Sequence, residues 1–385
     1  MKVLIVRMYP DVLNIKNYNC QEIGLAKALI RKGNQCDIVL YTDKDEYEED
    51  VLFDKDTKRI HVYYLKAKSF LKNAIFSKRL YEIAEKYDVI QTAEYDQIGN
   101  VLLKKKVGSK MVIYHGPYAS EYTKGYQKKC LLSDLYFMFH KDYKDTPCLS
   151  KSKLATEFLK SKGFKNITTV GVGLDTERFE SVNEPSEQIK SLMLKKKNEG
   201  LKYLLYIGKL EDRRNILFLI DACENVLKNN ENVRLVLVGK GEKTYVDKCF
   251  EYAKSKGILD RIIYYESIPQ LELPNLYKNC DIFLLPTQYE IFGMVLLEAM
   301  YFGMPVITTL NGGSSTLIEN GNNGIISDLK NGERWTDSIV KVLDSEELET
   351  EISNNARKQI KENYTWDSLA NNFIKIYKCG GLDNG

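Results

Sequence analysis

Short apolar runs recur along this chain, each followed by a stretch in which apolar residues return every three or four positions. That alternation of strand and helix signals predicts parallel α/β architecture. Val3 to Val6, Cys36 to Tyr41, His61 to Leu65, Val89 to Gln91, Met111 to Tyr114 and Thr168 to Val170 read as strands of a first half. Between the first two, Ile23, Leu25, Ala26, Leu29 and Ile30 share one helical face, and Gly33 marks its stop. A polar stretch from Ser181 to Glu199, with Lys195, Lys196 and Lys197, reads as the connection to a second half. There the theme restarts with Tyr203 to Ile207, Leu235 to Val238, Ile262 to Tyr265, Ile282 to Leu285 and Val306 to Thr308. Two Rossmann-like sheets follow, with a cleft between them and ligands at the carboxyl ends of strands.

A length of 385 residues agrees, since it exceeds what one core sustains. Hydrophobic residues make up 44% and charged residues 28%, with no apolar run of membrane-spanning length and no secretory leader, so a cytoplasmic protein is expected. The eight cysteines are scattered and none stands near a His in ligand spacing, which predicts free thiols and no structural metal. The net charge of +3 is unevenly spread. Up to Glu180 there are 31 Lys and Arg against 24 Asp and Glu, and afterwards 25 against 29. Lys104 to Lys106, Lys124, Lys128 and Lys129 lie among Tyr114, Tyr118, Tyr122 and Tyr126. Such a face suits an anionic membrane surface or a phosphate-bearing acceptor. The bias is too mild, and recognition motifs too absent, for nucleic acid. The acidic run Asp43 to Asp50 invites a metal reading, but its mixed charge predicts a solvated loop.

The segment richest in chemistry runs from Tyr289 to Glu298. Two carboxylates, Glu290 and Glu298, stand eight positions apart across the start of an otherwise apolar helix. Phe292, Gly293, Met294 and Val295 are placed in its first turn, whose N–H groups lack intrahelical partners and favour an anion. Met294 to Leu297, Ala299, Met300 and Phe302 cover nearly the whole circumference, which predicts a buried helix with Glu298 as its lone carboxylate. A buried carboxylate behind an anion-binding helix start suits a polyhydroxyl ligand such as a ribose, although a structural ion pair is the plainer reading. Gly312 and Gly313 follow the next strand. Near the second domain's start, Gly208 closes a strand, and Lys209 and Arg214 are expected to face the same crevice as Gly293. Two cations plus helix amides can neutralise a diphosphate without a metal ion.

Gly208-Lys209-Leu210 with Arg214, Leu237 to Gly241, Leu285 to Thr287, Glu290 to Gly293, Glu298 to Met300, Gly303 to Ile307 and Asn311 to Gly313 resemble, in order, the donor domain of the retaining glycosyltransferases of family four. Gly171 to Phe179 and Asn363 to Trp366 are similar to that family's hinge approach and closing helix. The resemblance implies a GT-B fold, with an acceptor-side domain over residues 1–183, a nucleotide-sugar domain over 200–362 and a helix over 363–379 returning to the first domain.

Carried onto this sequence, the resemblance implies that Glu298 binds ribose hydroxyls and Glu290 holds hydroxyls of the transferred sugar. It gives Lys209 and Arg214 the diphosphate, and places the amides of Phe292 to Val295 along the sugar and phosphate. His115, followed by Gly116, matches a strand-end histidine near the donor sugar. The implied activity moves a hexose with retention from a nucleoside diphosphate sugar, UDP-linked by expectation, to a glycan or lipid-linked acceptor. No cofactor and no obligatory metal are implied, and the basic first half would place the enzyme at the inner face of the cytoplasmic membrane. A nucleotide-sugar 2-epimerase or a catalytically silent partner subunit would share this fold. The sequence departs from the family pattern at several places. Lys209 and Arg214 exchange the usual Arg and Lys, Pro10 to Asn19 replaces a Gly-rich loop, Thr316 stands where Glu is frequent and Glu266 where Gly is usual.

Overall fold

A computed structural model describes residues 1–15, 20–70, 73–123, 125–179 and 184–381, with side chains to Lys378. Lys124, Ser181 and Lys16 to Asn19, which figure in the readings above, lie outside the described residues, as does the Cys379 side chain. The chain divides into two compact units, Met1–Asp175 with the segment from Tyr364 onward, and Thr176–Asn363.

The first unit contains strands β1 (Lys2–Val6), β2 (Gln35–Tyr41), β3 (Tyr47–Phe53), β4 (Lys58–Leu65), β5 (Ala67–Phe70), β6 (Asn73–Phe76), β7 (Val89–Ala93), β8 (Met111–His115), β9 (Cys148–Ser150) and β10 (Ile167–Thr169). Eight of them form one sheet in the order β10-β9-β8-β7-β1-β2-β4-β3, parallel throughout except for β3 against β4. β5 and β6 form a separate hairpin. The six expected strands are all present; β3, the hairpin and the three-residue β9 are additions. β3 corrects the solvated-loop reading, because residues from Tyr47 onward form the sheet's edge. Their charges remain in water and bind neighbours. Asp50 meets Arg59 at 2.9 Å and His61 at 2.7 Å, and Arg79 holds Glu46 at 2.7 Å and Glu48 at 2.6 Å. Charged side chains are what keeps an edge strand from pairing with other chains.

The helix Trp366–Gly381 belongs to this first unit. Leu174 N donates to the Tyr364 carbonyl at 2.8 Å, and Trp366 packs where Gly24 and Gly173 leave no room for a Cβ. Phe373 meets Tyr114 edge-on, and the Tyr377 hydroxyl donates to Gln91 Oε1 at 2.5 Å.

The second unit is a six-stranded parallel sheet of β11 (Lys202–Ile207), β12 (Val233–Val238), β13 (Ile262–Tyr265), β14 (Ile282–Leu285), β15 (Val306–Thr308) and β16 (Ile325–Ile326). Its order is β13-β12-β11-β14-β15-β16. From β11 the chain lays successive strands to one side, then returns to β14 on the other, which makes the gap beyond β11 and β14 the topological switch point. The polar connection ahead of β11 is not a linker. Residues Glu187–Glu199 form a helix that buries Ile189 and Leu192, and Lys196 binds buried Asp281 at 2.8 Å. Two buried apolar positions a turn apart sufficed to dock a segment whose composition reads as loop.

Candidate donor site at the switch point

The loops after β11 and β14 are laced together at the switch point. Arg213 Nη1 donates to the Tyr289 carbonyl at 2.6 Å, Gln288 N to the Arg213 carbonyl at 2.9 Å, and Asn215 Nδ2 to the Pro286 carbonyl at 2.6 Å. Asn215 adopts φ of 53°, a left-handed conformation that Asn tolerates, and so turns the chain into the helix Ile216–Leu227. Within this lacing Arg214 Nη1 lies 2.6 Å from Glu290 Oε2 and 3.3 Å from Thr287 Oγ1. Both partners are largely buried, with side-chain exposures of 12% for Arg214 and 19% for Glu290. Arg214 Nε is buried and carries no hydrogen bond among the described residues. Glu211 Oε1 stands 3.9 Å from this Nε, beyond hydrogen-bond distance, so the guanidinium keeps donor capacity for an additional acceptor.

The helix begins two residues later than the sequence suggested. Gly293, at φ of 78°, is its N-cap, and the helix runs Met294–Tyr301. Phe292 and Gly293 therefore precede the first turn, and Met294 and Val295 open it, both half-buried. The left-handed backbone at Gly293 is a conformation that a side chain disfavours. The Gly pair has a structural cause too: a Cβ at Gly312 would collide with the Ile291 carbonyl and one at Gly313 with the Phe292 carbonyl. Gly312 N also donates to the Glu290 carbonyl at 2.9 Å, which fixes the Glu290 loop against the turn after β15.

Glu298 is 2% exposed, as its place in an apolar helix demanded. The buried Tyr277 hydroxyl donates to its Oε2 at 2.8 Å. Lys209 is exposed at the mouth of a pocket of about 760 Å³, which it lines with Leu210, Lys240, Gly241, Tyr245 and Lys248. Its carbonyl accepts from the Tyr206 hydroxyl at 2.7 Å, pinning the turn after Gly208.

In the first unit His115 ends β8, fully buried, between the edge of Tyr95 and the face of Phe158. Its Nδ1 lies 2.6 Å from Glu94 Oε2, an ion-pair contact, and neither ring nitrogen makes a hydrogen bond of regular geometry among the described residues. Glu94 follows the neighbouring β7 with φ of 55°. The Gly116 amide donates to Glu94 Oε2 at 2.9 Å, and Lys151 Nζ lies 3.8 Å from Oε1. Burial alone would raise this carboxyl, but Lys151, His115 and the Gly116 amide outweigh it and hold it below the ordinary glutamate range. Sequence reading missed Glu94 because only the pairing of β7 with β8 brings it to His115. The one local sign was a carboxylate directly after a strand. Arg213, read as a candidate surface charge, is a tie between loops. Lys129 is engaged by buried Asp96 at 2.6 Å, and Tyr114 is buried, so neither adds to the basic surface.

Among the described residues no group of three or more His, Cys, Asp or Glu is placed to hold a metal ion, the seven described cysteines are free, and no helix is long and apolar enough to cross a membrane.

Two sheets, parallel but for the edge strand β3, with a site at a switch point and a last described helix returned to the first unit have the architecture of a GT-B fold. Solved structures agree in architecture. The chain is similar to a glycosyltransferase of Rickettsia africae (TM-score 0.72, 18% identity, 100% of this chain and 99% of that one) and to HepE of Anabaena in complex with UDP (TM-score 0.74, 16% identity, 98% and 100%). Among curated proteins it is similar to an uncharacterized glycosyltransferase of Methanocaldococcus jannaschii, 27% identical over 92% of both chains. It spans only about half the length of others, 57% of spore coat protein SA of Bacillus subtilis and 47% of mannosylfructose-phosphate synthase of Agrobacterium fabrum. Residues 190–359, which lie within the second unit, match the family model of glycosyl transferases group 1, and this match together with the fold supports a GT-B glycosyltransferase.

Proposed function

We propose that this glycosyltransferase moves a hexose, with retention, from a UDP-sugar to a glycan or lipid-linked acceptor, without an obligatory metal. The observation that carries this reading is the Arg214–Glu290 pair at the switch point, beside the start of a helix whose fifth residue is the buried Glu298. HepE, similar in fold, has been solved with UDP and with UDP-glucose.

In this reading the diphosphate lies against the opening amides of the helix Met294–Tyr301 and draws on the spare donor capacity of the Arg214 guanidinium, with Lys209 reaching from its exposed position. The phosphate oxygens draw Arg214 from Glu290, and the released carboxylate accepts hydrogen bonds from hydroxyls of the sugar. Glu298 accepts from the ribose hydroxyls while Tyr277 holds its other oxygen. The bond from the sugar's anomeric carbon to the phosphate oxygen breaks, and the bond to the acceptor oxygen forms on the same face. The acceptor hydroxyl's proton passes to the departing phosphate oxygen, so no protein base is required. The protein's contribution is placement and charge stabilisation.

The test is a donor screen by calorimetry, followed by product analysis with the donor that binds. A new glycosidic bond of retained anomeric configuration is expected. Failure of every nucleotide-sugar to bind would remove the reading, and a converted donor sugar formed without acceptor would assign an epimerase.

A further inference from the structure

We propose that the helix Tyr126–Phe137 and the turn after it seat the first unit on a bilayer surface rich in anionic lipid. The helix turns Cys130, Ser133 and Phe137 inward. On its other side Leu131, Leu132 and Leu135, continued by Met138 and Phe139, are exposed by between 47% and 83%. Spacings of one, four, seven and eight residues from Leu131 place all five on a single flank of the helical path. Five large apolar side chains contiguous in water are more than a solvated monomer surface carries without purpose.

The charges around this flank select the occupant. Lys128 is exposed on the same flank one turn before Leu131, and Lys141 is exposed just past Phe139. From Tyr126 to Lys141 the single acid is Asp134, which Lys162 holds at 2.6 Å. An apolar flank bordered by lysines complements a lipid interface with negative headgroups, the apolar residues entering the headgroup boundary and the lysines remaining in it. With twelve residues the helix lies in the plane of the interface rather than across it. The inference needs only this surface, so it stands or falls separately from the donor-site reading.

Co-sedimentation with vesicles tests it. The full chain is expected to partition onto mixed phosphatidylcholine and phosphatidylglycerol vesicles, and weakly onto phosphatidylcholine alone. The triple variant Leu131→Ser, Leu135→Ser, Phe139→Ser should lower partitioning by about tenfold or more on the mixed vesicles. The double variant Lys128→Gln, Lys141→Gln should weaken it by about tenfold on the mixed vesicles only. Both variants change exposed positions, and unaltered melting temperatures will show that they fold. Equal binding to both vesicle types, or a triple variant that binds like the parent, overturns the proposal. So does a parent that stays off vesicles but forms a dimer the triple variant abolishes, which would assign the flank to a second copy of this chain.

Discussion

Arg214 Nη1 and Glu290 Oε2 lie 2.6 Å apart and join the loops that follow two paired strands, β11 and β14. The pair is a poised arrangement: each partner neutralises the other until a stronger ligand for either arrives. Glu290→Ala is therefore expected to leave UDP affinity within a few-fold, or to improve it, while turnover falls by about 10²–10³ as for loss of one oriented transition-state contact. Calorimetry with UDP beside steady-state rates checks this; parallel losses in binding and turnover would place Glu290 on the nucleotide instead.

Glu298→Ala should weaken UDP binding by roughly 1.5–3 kcal/mol, the worth of hydrogen bonds to a charged group. Tyr277→Phe tests the same carboxylate from behind. It removes the 2.8 Å bond to Oε2 but no proposed ligand contact, so affinity should fall less than in Glu298→Ala. Isothermal titration of the two variants side by side distinguishes the effects.

The Glu94–His115 contact should be visible without any substrate. The chain has three histidines, so nitrogen-labelled imidazole spectra can be assigned by single substitutions. In the parent, His115 Nδ1 is expected to carry a proton toward Glu94. Glu94→Gln should shift the His115 signals, leave those of His61 and His140 in place, and lower turnover more than nucleotide affinity.

The same carboxylate sets an acid limb of stability. A carboxyl lowered in the folded state contributes stability above its unfolded pKa and loses it as pH falls through the lowered folded value. Melting temperatures followed from about pH 6 down to about pH 3 should fall less steeply in Glu94→Gln than in the parent, because a neutral amide does not titrate across that window.

Trp366→Ala should destabilise the first unit by about 3–5 kcal/mol, as expected for a fully packed aromatic. Chemical denaturation monitored by the remaining tryptophan, Trp335 of the second unit, and by far-ultraviolet circular dichroism separates the two units.

Much of this architecture was legible because buried parallel strands are written as continuous apolar runs. Ile262–Tyr265, Ile282–Leu285 and Val306–Thr308 match their expected bounds. What escaped was written in another alphabet. β3 is an edge strand, and its charges, neutralised by Arg59 and His61 of the neighbouring strand and by Arg79, read locally as loop. The helix Glu187–Glu199 buries two apolar residues, Ile189 and Leu192, and adds the tie of Lys196 to Asp281. At the site, Glu290, Glu298 and Arg214 were legible from their spacing around a helix start and a strand end. Glu94 and the lacing by Arg213 were not, since strand order, which no local pattern encodes, makes them neighbours. The helix start shifted because Gly293 takes the left-handed conformation of a cap, and the Gly pair serves close backbone packing.

The return of the final helix to the first unit has a consequence for biosynthesis. A ribosome delivers β1 through β10 long before Tyr364 emerges, so Gln91, Tyr114 and the face beside Gly24 must wait for Tyr377, Phe373 and Trp366. The unit begun first is completed only after the second has been made, and a nascent chain stopped before Tyr364 would leave that early half, rather than the late one, unfinished.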